Sequence, residues 1–153
     1  DRPIVFLDQV TDPQNIGSIL RASAVFGAKA VVLPEINSPE TTAVIAKVAS
    51  GALESIPLIK VKNLVQSLKM LKKEGYWCLG LDERGDKKIG EMNLSGKLVL
   101  VIGSEGRGMR RLTRENCDFL VQLPSLGSFT TLNAAQAATV SLYEIIRQKG
   151  SED

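Results

Sequence analysis

Hydrophobic positions in this chain follow two alternating patterns. Short unbroken apolar runs are separated by longer stretches in which apolar residues recur every three or four positions. The runs predict buried β-strands at residues 4–8 (IVFLD), 30–33, 57–61, 76–81, 97–102 and 119–123. The helical pattern predicts α-helices at residues 16–26, stopped by Gly27, and from Ser38-Pro39, an N-cap followed by a first-turn proline, to about Ser50. Two more are expected after the Asn63 cap, ending at Gly75, and over residues 133–148. Residues 82–96 are polar and contain glycine, and read as a loop. Strands that alternate with helices bury both faces of a parallel sheet. The expectation is an α/β fold with a mostly parallel six-stranded sheet, helices on both faces, and one domain over residues 1–153. Ligands in such folds bind beyond the carboxyl ends of the strands. Residues 9–17, 103–108 and 124–133 fall there, and all three segments are rich in Gly, Ser, Thr, Asn or Pro.

Composition narrows the chemistry. With 44% apolar and 24% charged residues the chain matches an ordinary folded domain. The formal net charge is only +2, so any nucleic-acid contact has to come from local basic clusters. There is no histidine, which excludes Ser-His-Asp and Cys-His catalysis and histidine metal sites; no metal is expected. Cys78 and Cys117 lack metal or disulfide-framework spacing and read as reduced thiols. No apolar run is long enough to cross a membrane, and a cytoplasmic location is the expectation. Asp1 already borders a strand, which suggests a piece of a longer protein.

Three segments carry candidate chemistry. In residues 8–28, Asn15, Gly17 and Arg21 lie near a helix start, where an anion is well held; alternatively Asn15 only caps the helix and Arg21 is a solvated charge. In residues 98–109 a strand runs into Gly103-Ser104-Glu105-Gly106, which suits close backbone approach to a ligand. It lacks the Gly-Lys-Ser/Thr ending of a P-loop and the glycine order of a dinucleotide fingerprint, and a plain strand-to-helix turn would look the same. In residues 123–144 a Pro/Gly loop enters an alanine-rich helix, which also suits simple close packing. Beside the second segment Arg107, Arg110, Arg111 and Arg114 form either a phosphate-binding patch or a solvated charge run.

Taken in order, the three segments resemble the motifs of the SpoU (TrmH-like) family of SPOUT RNA methyltransferases. The first has the N-x-G-x-x-x-R form at Asn15, Gly17 and Arg21. The second resembles V-I-G-S-E-G at residues 101–106, and the third L-P-x-x-G-x-x-x-x-L-N at residues 123–133. Residues 50–54 (SGALE) also look like a family segment. The resemblance implies a deep trefoil knot over about residues 98–144, S-adenosylmethionine as cofactor, RNA as substrate, and an obligate homodimer with the active site near the subunit interface. It implies catalytic roles for Arg21, Asn15, Glu105, Thr131 and Asn133. Cofactor contacts would come from Gly103, Leu123 and Leu132, with Leu79, Gly80, Leu81, Ser104 and Asn133 beside them. Arg21, Arg107, Arg110 and Arg111 would contact RNA. Thr131 stands where many members have Ser, Ala135 where a Ser often follows, and Ser125 where Met is common; the Ala135 change removes one polar group. Many rRNA-modifying members also carry an N-terminal RNA-binding domain that these residues do not include.

The implied reaction is methylation of a ribose 2′-hydroxyl. An arginine side chain is effectively always protonated, which disfavours Arg21 as a literal base and favours a grip on phosphate with stabilisation of the developing alkoxide. Residues 108–118 and 50–64 look most similar to enzymes that modify a guanosine of 23S rRNA. A tRNA ribose methyltransferase and a non-catalytic RNA-binding or ribosome-assembly module are the alternatives. A dinucleotide oxidoreductase is disfavoured by the missing fingerprint.

Overall fold

The first strand, β1 (Ile4–Asp8), is buried along its whole length, as expected for a strand covered on both faces. The computed structural model of the chain describes residues 1–35, 43–129 and 131–150. After β1 come α1 (Pro13–Val25), β2 (Ala30–Pro34), α2 (Ala43–Ala49), α3 (Ala52–Ser55), β3 (Leu58–Val61) and α4 (Leu64–Lys73). They are followed by β4 (Trp77–Leu81), β5 (Lys87–Lys88), a single 3₁₀ turn (Ile89–Glu91), β6 (Leu98–Gly103), α5 (Arg111–Glu115), β7 (Phe119–Gln122) and α6 (Ala134–Gly150). The strands form one sheet in the order β3-β2-β1-β6-β4-β7-β5. Every pairing in it is parallel.

The α/β class and the helices on both faces agree with the sequence pattern, but the sheet has seven strands rather than six. The additional strand is β5, two exposed lysines that pair with Val121 and Gln122 of β7. Two polar residues leave no hydrophobic period to read. The short helix α5 is absent from the sequence reading for the same reason. Helix α1 begins at Pro13 rather than at residue 16, because Asp12 is its N-cap and accepts a hydrogen bond from the Gln14 N–H at 2.9 Å. The helix start expected at Ser38-Pro39 lies outside the described residues. Residues 50–54 form the turn into α3, with Ser50 and Gly51 both at positive φ.

Alternating strand residues supply two cores. Val5, Leu7, Val31, Leu33, Leu79, Leu100, Ile102 and Val121 face α1, α2, α3 and α6. Ile4, Phe6, Val32, Cys78, Val99 and Val101 face α4. Helix α1 is clamped between α2 and α6. A Cβ on Gly17 would lie 2.8 Å from the Val48 Cβ and 3.0 Å from the Ile45 carbonyl oxygen, so this motif glycine sets how closely α1 approaches α2. Gly17→Ala is therefore expected to destabilise the fold by about 1–3 kcal/mol in urea or thermal unfolding, despite the better helix propensity of alanine.

Candidate functional site

The carboxyl edge of the sheet is organised around the β1–β6 pair, in which Asp8 sits opposite Gly103. Beyond β6 the chain folds back in a tight hairpin. The Gly108 N–H donates to the Ser104 carbonyl at 2.8 Å, and the Ser104 N–H donates to the Gly108 carbonyl at 3.3 Å. A Cβ on Gly103 would lie 2.4 Å from the Gly108 carbonyl carbon and 2.5 Å from the Met109 nitrogen. Gly103 thus admits the backbone of its own hairpin. Two residues at the end of β1 hold this hairpin. The Gln9 side-chain amide donates to the Gly108 carbonyl at 3.0 Å, from a residue with φ of 64°. Asp8, with no solvent exposure, accepts from the Arg110 backbone N–H at 2.8 Å and from its Nε at 2.9 Å. A third contact, from the Arg110 guanidinium to Asp8 Oδ1, is 2.8 Å. Within the hairpin, Ser104 Oγ is shielded from solvent and has no hydrogen-bond partner among the described residues.

A second feature lies between α1 and α6. Asn15, Ser18, Asn133, Gln136 and Thr139 line a groove of about 470 Å³. Asn15 sits in the first turn of α1, inside the helix that Asp12 caps. Asn133 precedes α6, and its Oδ1 accepts the Gln136 N–H at 2.8 Å. That commits the side-chain oxygen and leaves the amide NH₂ to donate. Thr131 and Leu132 are exposed immediately before it.

The structure brings Asn15 and Asn133 to one groove and places Arg21 one turn beyond Ser18 on α1. Arg21 is exposed and makes no hydrogen bond or ion pair among the described residues. It lies in the third turn of α1, away from the helix N-terminus, so the helix dipole contributes little at its head group. Glu105 is exposed at the hairpin tip and forms no ion pair with Arg21. In the arginine cluster, Arg107 is exposed, Arg110 is held by Asp8, and Arg111 is 3.6 Å from Glu115. Leu79 is buried in the larger core, Gly80 packs against Cys117, Met109 and Leu120, and Leu81 and Leu123 are half-buried at the strand ends. A hydrogen bond with Cys117 and burial push the Cys78 thiol far above its ordinary range, which removes it from nucleophilic chemistry. Sequence reasoning missed Asp8, Gln9 and Ser18. The readable signal was a charged residue ending an otherwise apolar buried strand.

Residues 2–143 match the model of the SpoU rRNA Methylase family. The chain is 47% identical over 146 residues to the 23S rRNA (guanosine-2′-O-)-methyltransferase RlmB of Pseudomonas putida, covering 95% of this chain and 59% of that protein. The chain belongs to the SpoU rRNA methylase family. Identity to RlmB of Escherichia coli is 43% over 150 residues, covering 97% of this chain and 62% of that protein. The chain thus spans about three fifths of the length of these relatives. Among solved structures, the SpoU methyltransferase AviRb from Streptomyces viridochromogenes superposes with a TM-score of 0.92 at 30% identity, over 99% of this chain and 61% of that one. AviRb in complex with AdoMet superposes with a TM-score of 0.89 at 30% identity, over 97% of this chain and 60% of that one. Among the described residues no helix is long and apolar enough to cross a membrane, and no cluster of His, Cys, Asp or Glu is suited to a metal ion.

In this SpoU member the hairpin geometry predicts the effect of crowding Gly103. Gly103→Ala should splay the hairpin and break the Gly108-to-Ser104 bond, seen as faster hydrogen–deuterium exchange at the Gly108 amide. Unchanged protection there would show that the hairpin absorbs the extra methyl.

Proposed function

We propose that the chain is the catalytic part of an S-adenosylmethionine-dependent RNA ribose 2′-O-methyltransferase that acts in the cytoplasm on a guanosine of 23S rRNA. The observation that carries this reading is the meeting of Asn15 and Asn133 in one groove, with the unpaired Arg21 on its flank. The names of the RlmB relatives support the substrate.

The residues present fit the cofactor. Ser104 Oγ, at the carboxyl end of β6, is a shielded polar atom with no partner among the described residues, and the exposed Leu132 offers an apolar surface on the loop after β7. Gly103, Ser104, Leu123, Leu132 and Asn133 would hold it, with Leu79, Gly80 and Leu81 closing the floor from β4. When bound, it supplies an activated methyl group on a sulfonium. The protein's task is to hold the ribose oxygen in line, and positioning of this kind supplies about 7–11 kcal/mol of a barrier. The Asn133 amide and the Asn15 and Thr131 side chains orient the ribose. Arg21 binds the adjoining phosphate and stabilises negative charge on the 2′-oxygen, and the proton passes to the phosphate or to water. Arg107 and Arg111 add electrostatic affinity for the RNA backbone.

The proposal includes the trefoil knot and the homodimer. For the knot, the support is that β7 lies between β4 and β5, strands consecutive in the chain and joined only by residues 82–86. That link is tied to β7 by the Asp82 N–H to the Val121 carbonyl and by the Gln122 side chain to the Gly85 carbonyl, both at 2.9 Å. For the dimer, Val25, Val140 and Tyr143 are exposed on neighbouring faces of α1 and α6, and Tyr143 meets Phe26 edge-on at 6.2 Å. Val140 also lines the groove, so a second copy seated there would border the active site.

Incubation with S-adenosylmethionine and separated 23S rRNA and tRNA, followed by nucleoside mass spectrometry, should show 2′-O-methylguanosine in the 23S pool. Methylation confined to tRNA, or none in either pool, would overturn the substrate. Arg21→Lys should lower turnover about 100-fold or more while leaving S-adenosylhomocysteine binding intact; near-full turnover would remove Arg21 from the mechanism. Val140→Glu with Tyr143→Glu should yield a folded monomer by light scattering, and a persistent dimer would place the interface elsewhere.

A further inference from the structure

We propose that Asp8 and Arg110 form a positioning clamp that sets the cofactor-binding shape of the residue 103–110 hairpin, and that Arg110 serves this clamp rather than the RNA. The inference rests on the reading that the hairpin borders the methyl-donor site. Arg110 lies in a run of arginines that would suit phosphate, yet its head group is already engaged. Its backbone N–H occupies one carboxylate oxygen of Asp8, and its Nε and a terminal nitrogen occupy the other, at 2.8, 2.9 and 2.8 Å. Asp8 has no solvent exposure and no other partner among the described residues, so withdrawal of Arg110 toward a phosphate would strand a buried carboxylate. Arg107, three residues earlier, is exposed and carries no such obligation.

The clamp acts on the hairpin through two neighbouring points. Asp8 fixes the exit of the hairpin at residue 110, while Gln9 fixes its return strand at Gly108 from a left-handed backbone conformation. A non-glycine residue held at positive φ is costly, and it persists here where it aims the side chain at the hairpin. Across the hairpin from these anchors lie Ser104, whose shielded hydroxyl has no partner among the described residues, and Glu105 at the tip. The anchors are the last residue of β1 and the residue after it, so the segment that leads into the Asn15–Arg21 helix also sets the donor-side hairpin. Asp8 and Arg110 touch neither reacting atom; they are positioning residues.

The test separates a clamp from a phosphate contact. Binding of S-adenosylhomocysteine without RNA is measured by calorimetry for the parent protein, Asp8→Asn, Arg110→Ala and Arg110→Lys. RNA affinity is measured as a function of salt for Arg110→Ala and Arg107→Ala. Loss of the clamp should weaken S-adenosylhomocysteine at least tenfold in Asp8→Asn and Arg110→Ala. Arg110→Lys, which keeps charge but loses the fork, should recover part of that loss and secures the comparison if the alanine variant does not fold. The slope of log affinity for RNA against log salt should stay at the parent value in Arg110→Ala and become shallower by about 1 in Arg107→Ala. Parent-like S-adenosylhomocysteine binding in Asp8→Asn and Arg110→Lys, or a slope in Arg110→Ala that falls as in Arg107→Ala, overturns the clamp. A parent protein that does not bind S-adenosylhomocysteine fails the methyl-donor reading itself, a result distinct from parent binding that the variants retain.

Discussion

The register between β1 and β6 is the constraint on which the functional edge depends. Ile4 pairs with Val99 and the ladder runs without interruption to Asp8 opposite Gly103. In a strand buried on both sides, a slip of one residue would exchange the two cores and move Asp8 away from the hairpin. Only this register puts a carboxylate where the chain emerges from β6. It also leaves room for the hairpin to fold back over Gly103.

The Asp8–Arg110 pair is better understood as a locator than as a stabiliser. Removing a carboxylate from water costs several kcal/mol even after relaxation. Hydrogen bonds to charged groups return about 1.5–3 kcal/mol each. Three contacts to Asp8, with Arg110 still 54% exposed on its side chain, bring those terms close to balance. A pair with little net stabilisation still discriminates between hairpin positions, because any other position leaves Asp8 buried and unpaired. The same logic assigns Gly103 a local role. Its missing side chain is accounted for by the hairpin backbone that crosses it, without reference to a ligand.

Much of the fold was legible because fully buried parallel strands advertise themselves as apolar runs. The five longer apolar strands beyond β1 all appear within a residue or so of their expected limits. What is absent from the sequence pattern is short or polar: β5 has two lysines, α3 has four residues, and α5 has five residues with exposed Arg111 and Leu112. The start of α1 carries a signal of its own: Asp12-Pro13 is a cap followed by a first-turn proline, three residues ahead of the apolar onset at Ile16 on which the periodicity rests. Within the candidate site, Asn15, Gly17, Arg21 and Asn133 stood out through motif order, not through any individual chemistry. The Asp8–Arg110 contact spans 102 positions and has no local signature. Single-sequence patterns record neighbours along a helix or strand, and this contact is made only once β1 and β6 are paired.

The charge distribution follows from the same arrangement. A net charge of +2 gives no general attraction for RNA, so individual cations matter. Several are already employed within the fold: Arg84 holds Asp82, Arg147 holds Glu144, and Lys72 lies 3.3 Å from Asp118. The Arg84 bonds outweigh the effect of burial on Asp82 and keep its carboxyl below the usual range, so that pair stays charged at neutral pH. Arg21, in the third turn of α1, and Arg107, in the hairpin after β6, remain as exposed cations without an intramolecular partner among the described residues. Two such charges on one chain give modest electrostatic affinity, whereas a second copy seated on the Val140–Tyr143 face would double them about a symmetry axis. The exposed cations near the groove and the uncovered Val140–Tyr143 face beside it are thus features that a second copy seated there would change together.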